Sequence, residues 1–294
     1  KKLIVSLMML LSLVTLLSAK SYVMDLDTNE NKIEVLANNY SKLELDFSIA
    51  NIKGFDVQTR KGQFTKLLLK NGYPNGKLGE PELPAIKKLV EIPFGAEISI
   101  RTVDYQITEY DLKDFGIDNK IMPAQPSLPK NIDPATVEFE YKEDIYSQDK
   151  FVGPDLANAK ILGKLRGMRL ARIIISPIRY NPVNNKIKVY NNIEVEISFS
   201  GSDVYETEYV KAATKSIYFQ KIYKKIINNR TKDSYDDYPD LTKYPTKYVI
   251  VSDPMFESQL QPFVEWKQKK GFHVIEAYTD EIGSSYNDIQ TYLH

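Results

Sequence analysis

The side chains that most often perform chemistry in proteins are scarce in this sequence. None of its 294 residues is a cysteine, which excludes a thiol nucleophile, a disulfide framework and a thiolate metal site. Its two histidines, His273 and His294, lie 21 positions apart and offer little for a histidine-rich zinc site. His273 alternates with apolar neighbours in a predicted strand, and we interpret both histidines as structural. We therefore assign no catalytic residue within this sequence.

One acidic stretch has a spacing that resembles a metal loop. Asp25, Asp27 and Asn29 alternate as the first ligands of a calcium loop do. Asn31 and Leu36 follow, however, where such a loop needs a turn glycine nearby and a closing glutamate. We expect no metal site here and no cofactor elsewhere in the chain.

Charge and composition narrow the possible partners. Lys and Arg number 39, Asp and Glu also number 39, and the formal net charge is zero. The chain thus lacks the positive field that a nucleic-acid binder or an anionic-membrane binder carries. Hydrophobic residues make up 43%, as in ordinary globular proteins, and the length allows two domains of about 100–200 residues each.

The first residues have the organisation of a secretory signal peptide. Lys1 and Lys2 precede an uncharged, largely apolar stretch over residues 3–19, and charge resumes at Lys20. The alternative is a membrane anchor, but 17 uncharged residues with several hydroxyl side chains are marginal for a span that needs about 20. We predict export of a bacterial protein, cleavage after Ala19 and no stable membrane span afterwards.

The residues that follow, 20–215, are predicted to be rich in strands. Residues 42–51 alternate apolar and polar positions, and residues 55–59 and 64–69 flank a turn typical of a hairpin. The alternation in residues 97–107 changes parity, which predicts a bulge near Thr102. Residues 137–141 alternate again.

A second hairpin is predicted from residues 170–179 and 186–200, joined by a loop rich in turn formers. Four prolines in residues 122–134 indicate an irregular crossover. Short strands, turn residues and no long helical pattern together predict a mainly β fold, an antiparallel β-sandwich of jelly-roll type.

A basic and polar linker is predicted over residues 216–246. It begins with five Lys or Arg in residues 218–232 and continues with a polar stretch that two prolines interrupt. Exposed backbone with few apolar anchors is where proteolytic nicking concentrates. An uncleaved tether between domains explains the same composition.

The pattern changes after this linker. Residues 248–252 form a continuous apolar run typical of a buried parallel strand. Asp253 can cap a helix that Gly271 closes, and a second strand and a second helix beginning at Ser284 or Ser285 follow. Residues 247–294 thus predict the first part of an α/β domain that continues beyond His294.

Three stretches of the sequence contain motifs that occur in a characteristic order. The first is Gly79-Glu80-Pro81-Glu82-Leu83-Pro84 with Ile92-Pro93-Phe94-Gly95. The second is Ser176-Pro177-Ile178-Arg179-Tyr180-Asn181-Pro182 with Val189-Tyr190-Asn191-Asn192-Ile193. The third is Tyr248-Val249-Ile250-Val251 with Phe263-Val264-Glu265-Trp266-Lys267 and Lys270-Gly271. In this order, after a signal peptide and with the start of an α/β segment, they resemble the gingipain-type propeptide followed by the start of a C25, gingipain-like, cysteine peptidase.

The resemblance implies a secreted zymogen. A β-sandwich prodomain would assist folding and hold a caspase-like cysteine endopeptidase inactive, with its own downstream peptidase domain as partner and proteins as substrates of the full-length enzyme. The family's cysteine and histidine do not map onto any residue of this chain, which is not expected to be active alone. Since family members are released by cleavage after basic residues, Arg230 becomes the best processing candidate, followed by Lys232 and Lys243.

Two other functions are consistent with the same residues. A secreted, non-catalytic β-sandwich could bind a glycan or a partner, and exposed coplanar aromatic rings on one sheet face would then be expected. A free-standing protease inhibitor would need a stable fold without the last 48 residues.

Overall fold

The computed structural model describes residues 20–26, 28, 30–133, 136–214, 220–229 and 246–294. The chain divides into two compact units, and the boundary falls between Arg230 and Thr231. The first unit is rich in β-strands and the second is α/β. Each is described by itself.

Three antiparallel sheets make up the described part of the first unit. The first sheet has the strand order β1-β4-β5, the second β6-β7-β10-β9, and the third β11-β12-β3-β2 with β8 also paired to β12. The strands are β1 (Ser21–Asp25), β2 (Lys32–Asn38), β3 (Lys42–Ser48), β4 (Asn51–Thr59), β5 (Gly62–Leu68), β6 (Gly72–Asn75), β7 (Leu83–Ile92), β8 (Glu97–Asp111), β9 (Ala157–Leu165), β10 (Met168–Ile175), β11 (Ile178–Asn181) and β12 (Lys186–Ser200).

All three sheets contribute to one hydrophobic core. Met24 and Ile52 come from the first sheet, Val90 from the second, and Leu45 and Ile197 from the third, and each is fully buried. The predicted antiparallel β-sandwich is therefore confirmed. Alternation with a period of two positions these side chains, because every second residue of a strand points to the same face.

The long strand β12 shows this alternation most clearly. Its buried apolar residues all hold odd positions, as the sequence predicted: Ile187, Val189, Ile193, Val195, Ile197 and Phe199. One edge of β12 pairs with β8 and the other with β11 and β3. The pairing with β8 shifts register beside Thr102, which confirms the predicted bulge.

The predicted hairpin over residues 55–69 is confirmed as β4 and β5, with Thr59 paired to Gly62 across the turn. The second predicted hairpin is only half right. Ile178–Asn181 pairs with β12, but residues 168–175 pair with β7 and β9 in the second sheet. Ser176 and Pro177 separate the two strands, and proline cannot donate a ladder hydrogen bond, so the chain changes sheet at this point.

The prediction of a strand over residues 137–141 is wrong. Instead of a neighbouring strand, the side-chain amide of Gln125 pairs with this segment, accepting from the Glu140 N–H at 3.1 Å and donating to its carbonyl at 2.7 Å. Phe139 and Tyr141 pack on Phe64 of β5. The alternation thus comes from aromatic packing rather than from a ladder. The described part of the predicted crossover, residues 122–133, forms isolated bridges and no strand.

The described part of the first unit also has three α-helices: α1 (Glu143–Tyr146), α2 (Val204–Thr214) and α3 (Gln220–Tyr223). The sequence shows no long helical pattern here, yet α2 has 11 residues. Its buried residues are Thr207 and Lys211, so it lacks the apolar stripe by which a helix is recognised in a sequence.

The second unit has the predicted order of strands and helices, but the prediction that residues 248–252 are buried is wrong, because every residue of this strand is exposed or half-buried. Strands β13 (Lys247–Ser252) and β14 (His273–Tyr278) pair in parallel, with α4 (Glu257–Lys269) between them. The Asp253 side chain accepts a hydrogen bond from the Met255 N–H, and Gly271 has a φ of 88°. The helices α5 (Thr279–Ile282) and α6 (Tyr286–Leu293) follow, and Ser285 forms a capping box at the start of α6. Among the described helices of both units, none is long and apolar enough to cross a membrane.

Candidate functional site

The segment that immediately precedes the predicted processing residue Arg230 is attached to the first unit. We name residues 223–229 the anchor segment. Tyr223 and Ile226 are buried and pack with Met168 and Leu170 of β10 in a small apolar cluster. The segment was assigned to the linker on its basic composition, but these two apolar side chains hold it on the second sheet.

Backbone contacts extend the anchor segment along the part of β7 that does not pair with β6. Ile226 forms a parallel bridge with Leu89, and the Ile227 N–H donates to the Leu89 carbonyl at 3.2 Å. The Asn228 side chain then replaces a strand partner, because it accepts from the Glu91 N–H at 2.7 Å and donates to the Glu91 carbonyl at 2.8 Å. The buried N–H and carbonyl groups of Glu91 therefore both have a hydrogen-bond partner, as buried backbone groups require.

The backbone of Asn228 contacts the third sheet. The Asn38 side-chain amide, at the end of β2, donates to the Asn228 carbonyl at 3.0 Å. Asn228 is itself buried. The anchor segment therefore joins two sheets two residues before Arg230.

A buried ion pair lies at the same point of β7. The Lys211 ammonium of α2 and the Glu91 carboxylate are 2.7 Å apart, and their side chains are only 9% and 2% exposed. A charge buried to this degree is tolerated when it is paired and hydrogen-bonded. The pair attaches α2 to β7.

Two further contacts bring α2 close to the second sheet. The Phe94 N–H, just after β7, donates to the Thr207 hydroxyl at 2.9 Å. Gly167 forms the β9–β10 turn against the last turn of α2, where a Cβ atom would overlap the Thr214 hydroxyl and lie 2.8 Å from the Val210 carbonyl. A glycine is required at this position by the close approach of the helix.

The predicted processing residues Ala19, Arg230, Lys232 and Lys243 all lie outside the described residues. Of the predicted structural histidines, His273 is exposed on β14 opposite Lys247, and His294 follows α6. Asp25 ends β1, whereas Asp27 and Asn29 are not described. In the described ranges no group of three or more His, Asp or Glu could hold a metal ion.

The motifs that carry the resemblance build turns and crossovers. Gly79, with a φ of 78°, donates its N–H to the Ala124 carbonyl at 2.9 Å. The buried Tyr180 hydroxyl donates to Asn185 at 2.9 Å. The Asn191 amide accepts from the N–H of Ile49 and donates to its carbonyl, both at 2.8 Å. Their role in the first unit is thus to fix its topology.

Sequence reasoning missed the set formed by Glu91, Lys211 and Asn228. One signal was available: Glu91 is a charged residue inside the apolar run Leu89–Ile92, where a buried carboxylate requires a partner. Nothing in the sequence near Lys211 or Asn228 distinguishes them from other residues of a charged, Asn-containing stretch. Only the fold brings the three together.

Comparison with known proteins identifies this arrangement. The Propeptide_C25 family profile matches residues 23–229, so the match ends at the last residue of the anchor segment. The chain belongs to the C25 propeptide family. It is 35% identical to Lys-gingipain of Porphyromonas gingivalis over 280 residues, 95% of this chain, and 24% identical to gingipain R1 of the same species over 274 residues. It spans only 16% of the length of that Lys-gingipain.

Solved structures of C25 propeptides share the fold. A structure concerning the zymogenic latency of gingipain K from P. gingivalis matches 62% of this chain and 100% of its own, with 35% identity and a TM-score of 0.59. A complex of the P. gingivalis RgpB pro- and mature domains matches 69% of this chain and 100% of its own, with 22% identity and a TM-score of 0.54, and supports the fold alone.

Proposed function

We propose that this chain is the N-terminal part of a secreted, gingipain-like cysteine endopeptidase precursor. Residues 20–229 are its prodomain, which assists folding and keeps the peptidase inactive, and residues 247–294 begin the peptidase domain. The prodomain boundary lies at 229 rather than at 215, because the anchor segment packs on the β-rich unit. Cleavage after a basic residue between the two parts releases the prodomain.

The observation that carries this proposal is that the family match extends to Asn229 and that the chain leading up to this residue packs on the β-rich unit. The Asn229 N–H, immediately before Arg230, donates to the Ile226 carbonyl at 3.2 Å. A protease needs an accessible chain that can be extended, so a bond beyond the anchor is a better substrate than a bond within it. Cleavage there leaves every contact of the anchor segment on the prodomain.

The partner of the prodomain is the downstream peptidase domain of the same precursor. To cover a protease cleft stably, the interface needs more than about 1,000 Å² of buried surface. The gingipain K structure on zymogenic latency supports this role by homology. The cysteine nucleophile and its histidine belong to the part of the precursor after His294, and proteins are the substrates of the released enzyme.

The proposed location is extracellular or at the bacterial cell surface. Export requires the signal peptide, which ends at Ala19, and the sandwich then depends on its core for stability, because the chain has no cysteine for disulfides.

The processing order can be tested by limited proteolysis of the 294-residue chain with a trypsin-like enzyme. We expect the first cut after Arg230, detected as a fragment that begins at Thr231. R230Q should move the first cut to Lys232 or Lys243, whereas K186Q, on β12, should leave the pattern unchanged. A first cut after Lys224 or Lys225, inside the anchor segment, would contradict the proposal.

The neighbouring aromatic rings of the third sheet do not form the coplanar surface expected of a binding module. Tyr105 and Tyr190, on neighbouring strands of the third sheet, meet edge to face with 61° between their rings. They do not form the flat platform on which a sugar ring stacks.

A further inference from the structure

A cavity lies on the second sheet beside the region that the anchor segment covers. The anchor segment packs on Met168 and Leu170 of β10, on the face of the sheet that points away from the main core. Ile174 and Ser176 have the same parity in β10 and line the cavity, so it opens on the same face. Its volume is about 400 Å³. Small-molecule sites have volumes of about 300–1,000 Å³, so the cavity is large enough for a small ligand.

The walls of this cavity carry several polar side chains. They come from the turn after β6, from the segment before β9, and from β9 and β10: Asn75, Lys77, Asp155, Asn158, Lys160 and Ser176. The Ser176 side chain is buried, and its hydroxyl accepts a hydrogen bond from the Asn75 amide at 3.1 Å. Among the described residues the hydroxyl hydrogen of Ser176 has no acceptor, so it can donate to a ligand.

The charges at this cavity are positive in excess. Lys77 and Lys160 line it, and Arg172 lies directly opposite Lys160 in the β9–β10 ladder. None of these three cations has an acidic partner in the part of the chain that the structure describes. Of the two carboxylates in the lining, Glu80 is paired with Lys142 at 2.9 Å, which leaves Asp155 alone to offset them. Like charges opposed across a strand pair destabilise it, so a bound anion would stabilise this face.

A buried guanidinium nitrogen adds to this excess. The Nη1 atom of Arg179 is buried and has no hydrogen-bond partner among the described residues. It lies behind Gly153, which lines the cavity, and a Cβ atom on this glycine would be 3.1 Å from the Arg179 nitrogen. A buried cation without a partner costs free energy. An anion in the cavity would reduce that cost, because charges interact strongly where water is excluded.

We propose that this cavity binds a small phosphorylated molecule, a phosphate monoester. Its phosphate oxygens accept charge-assisted hydrogen bonds from Lys77 and Lys160, and the Ser176 hydroxyl and the Asn158 amide donate to the same ligand. A phosphate dianion offsets more of the positive excess than a single carboxylate does. The concave shape fits a small molecule rather than a membrane surface, and a chain of zero net charge lacks the field that draws a protein to anionic lipid.

Isothermal titration calorimetry of the 294-residue chain tests this site, with glycerol phosphate as the probe and glycerol as its uncharged counterpart. We expect saturable binding of glycerol phosphate and none of glycerol. K77Q/K160Q should raise the dissociation constant at least tenfold, because both charge-assisted hydrogen bonds are lost. K61Q/K113Q is the matched control: it removes the same charge from two exposed lysines outside the cavity and should leave the dissociation constant unchanged.

The folding of both double variants is verified by their thermal unfolding midpoints. No saturable binding of glycerol phosphate, equal binding of glycerol, or an equal loss of affinity in the two double variants would overturn the proposal. Vesicles of phosphatidylglycerol distinguish a membrane source of the phosphate. Binding to these vesicles that K77Q/K160Q abolishes, without binding of free glycerol phosphate, would also overturn it. The cavity lies within the first unit, so these results are independent of latency and of processing at Arg230.

Discussion

Replacing Lys211 by methionine tests whether the buried ion pair holds α2 on the β-rich unit. Methionine keeps the length and most of the volume of lysine but removes its charge. The Glu91 side chain, 2% exposed, then loses the cation 2.7 Å away while it stays inside the protein. Removing one partner of a buried ion pair costs about 3–5 kcal/mol, because the remaining charge loses its counterion and stays out of water.

For a unit of this size, 1 kcal/mol shifts Tm by about 2–4 °C, so K211M should lower the melting temperature by roughly 6–20 °C. The measurement is thermal unfolding of the chain followed by far-UV circular dichroism. The double variant E91M/K211M should recover most of the loss, since two apolar side chains of similar volume can replace a buried pair at little cost.

K142M is the matched control. Lys142 and Glu80 form an ion pair at 2.9 Å, but their side chains are 44% and 26% exposed. Breaking such a pair costs only about 0.2–1 kcal/mol. If K211M destabilises the chain no more than K142M does, or if E91M/K211M is no more stable than K211M, the reasoning from burial is refuted.

Three further outcomes are expected. N228A should remove both side-chain hydrogen bonds to the Glu91 backbone, cost about 1–3 kcal/mol, and move the first tryptic cut to the N-terminal side of residue 228. G167A should destabilise the chain in urea unfolding, because its Cβ meets the last turn of α2. Burial and the nearby Asp56 raise the pKa of Tyr22 from 10.0 to about 12. The contribution of the protonated Tyr22 to the free energy of unfolding should therefore be complete below pH 10 and be lost between pH 10 and 12. The loss of stability over this range should be less steep in Y22F.

Low pH should also destabilise the fold, because it protonates Asp56, which lies near Tyr22. Burial alone raises the pKa of Asp56, but hydrogen bonds from Thr65, Tyr22 and Asn119 outweigh it and leave the pKa below 3.8. A lowered carboxyl pKa stabilises the fold above the ordinary value, and that contribution is lost as the pH falls below it. We expect a steeper loss of stability in acid for the wild-type chain than for D56N, measured as Tm against pH.

The sequence predicted those parts of the fold that local alternation determines. Strand β12 and the β4–β5 hairpin each bury one face, so apolar spacing alone identifies them. The parallel pair in the second unit was identified from its apolar run, although no residue of β13 is buried. The irregularity near Thr102 was also predicted, but the apolar residues that follow it, Val103, Tyr105 and Ile107, are exposed, so their spacing does not mark a buried face.

The predictions failed where residues distant in the sequence determine the local structure. Residues 137–141 alternate like a strand, yet their hydrogen-bond partner is the side chain of Gln125. Helix α2 is held by Thr207 and Lys211, both polar, so its buried face carries no apolar signal. The anchor segment looks like a linker until Asn228 meets Glu91, which lies 137 residues earlier. A pairwise contact at that separation leaves no periodic trace in one sequence.

The activity of the full-length precursor before and after processing tests the central claim most directly. Peptidase activity and fragment masses should be followed together in the wild-type precursor and in R230Q/K232Q/K243Q. We predict that activity rises only as the fragment ending at Arg230 accumulates, and that the triple variant stays latent. Full activity in an uncleaved precursor would contradict the assignment of the β-rich unit as an inhibitory prodomain.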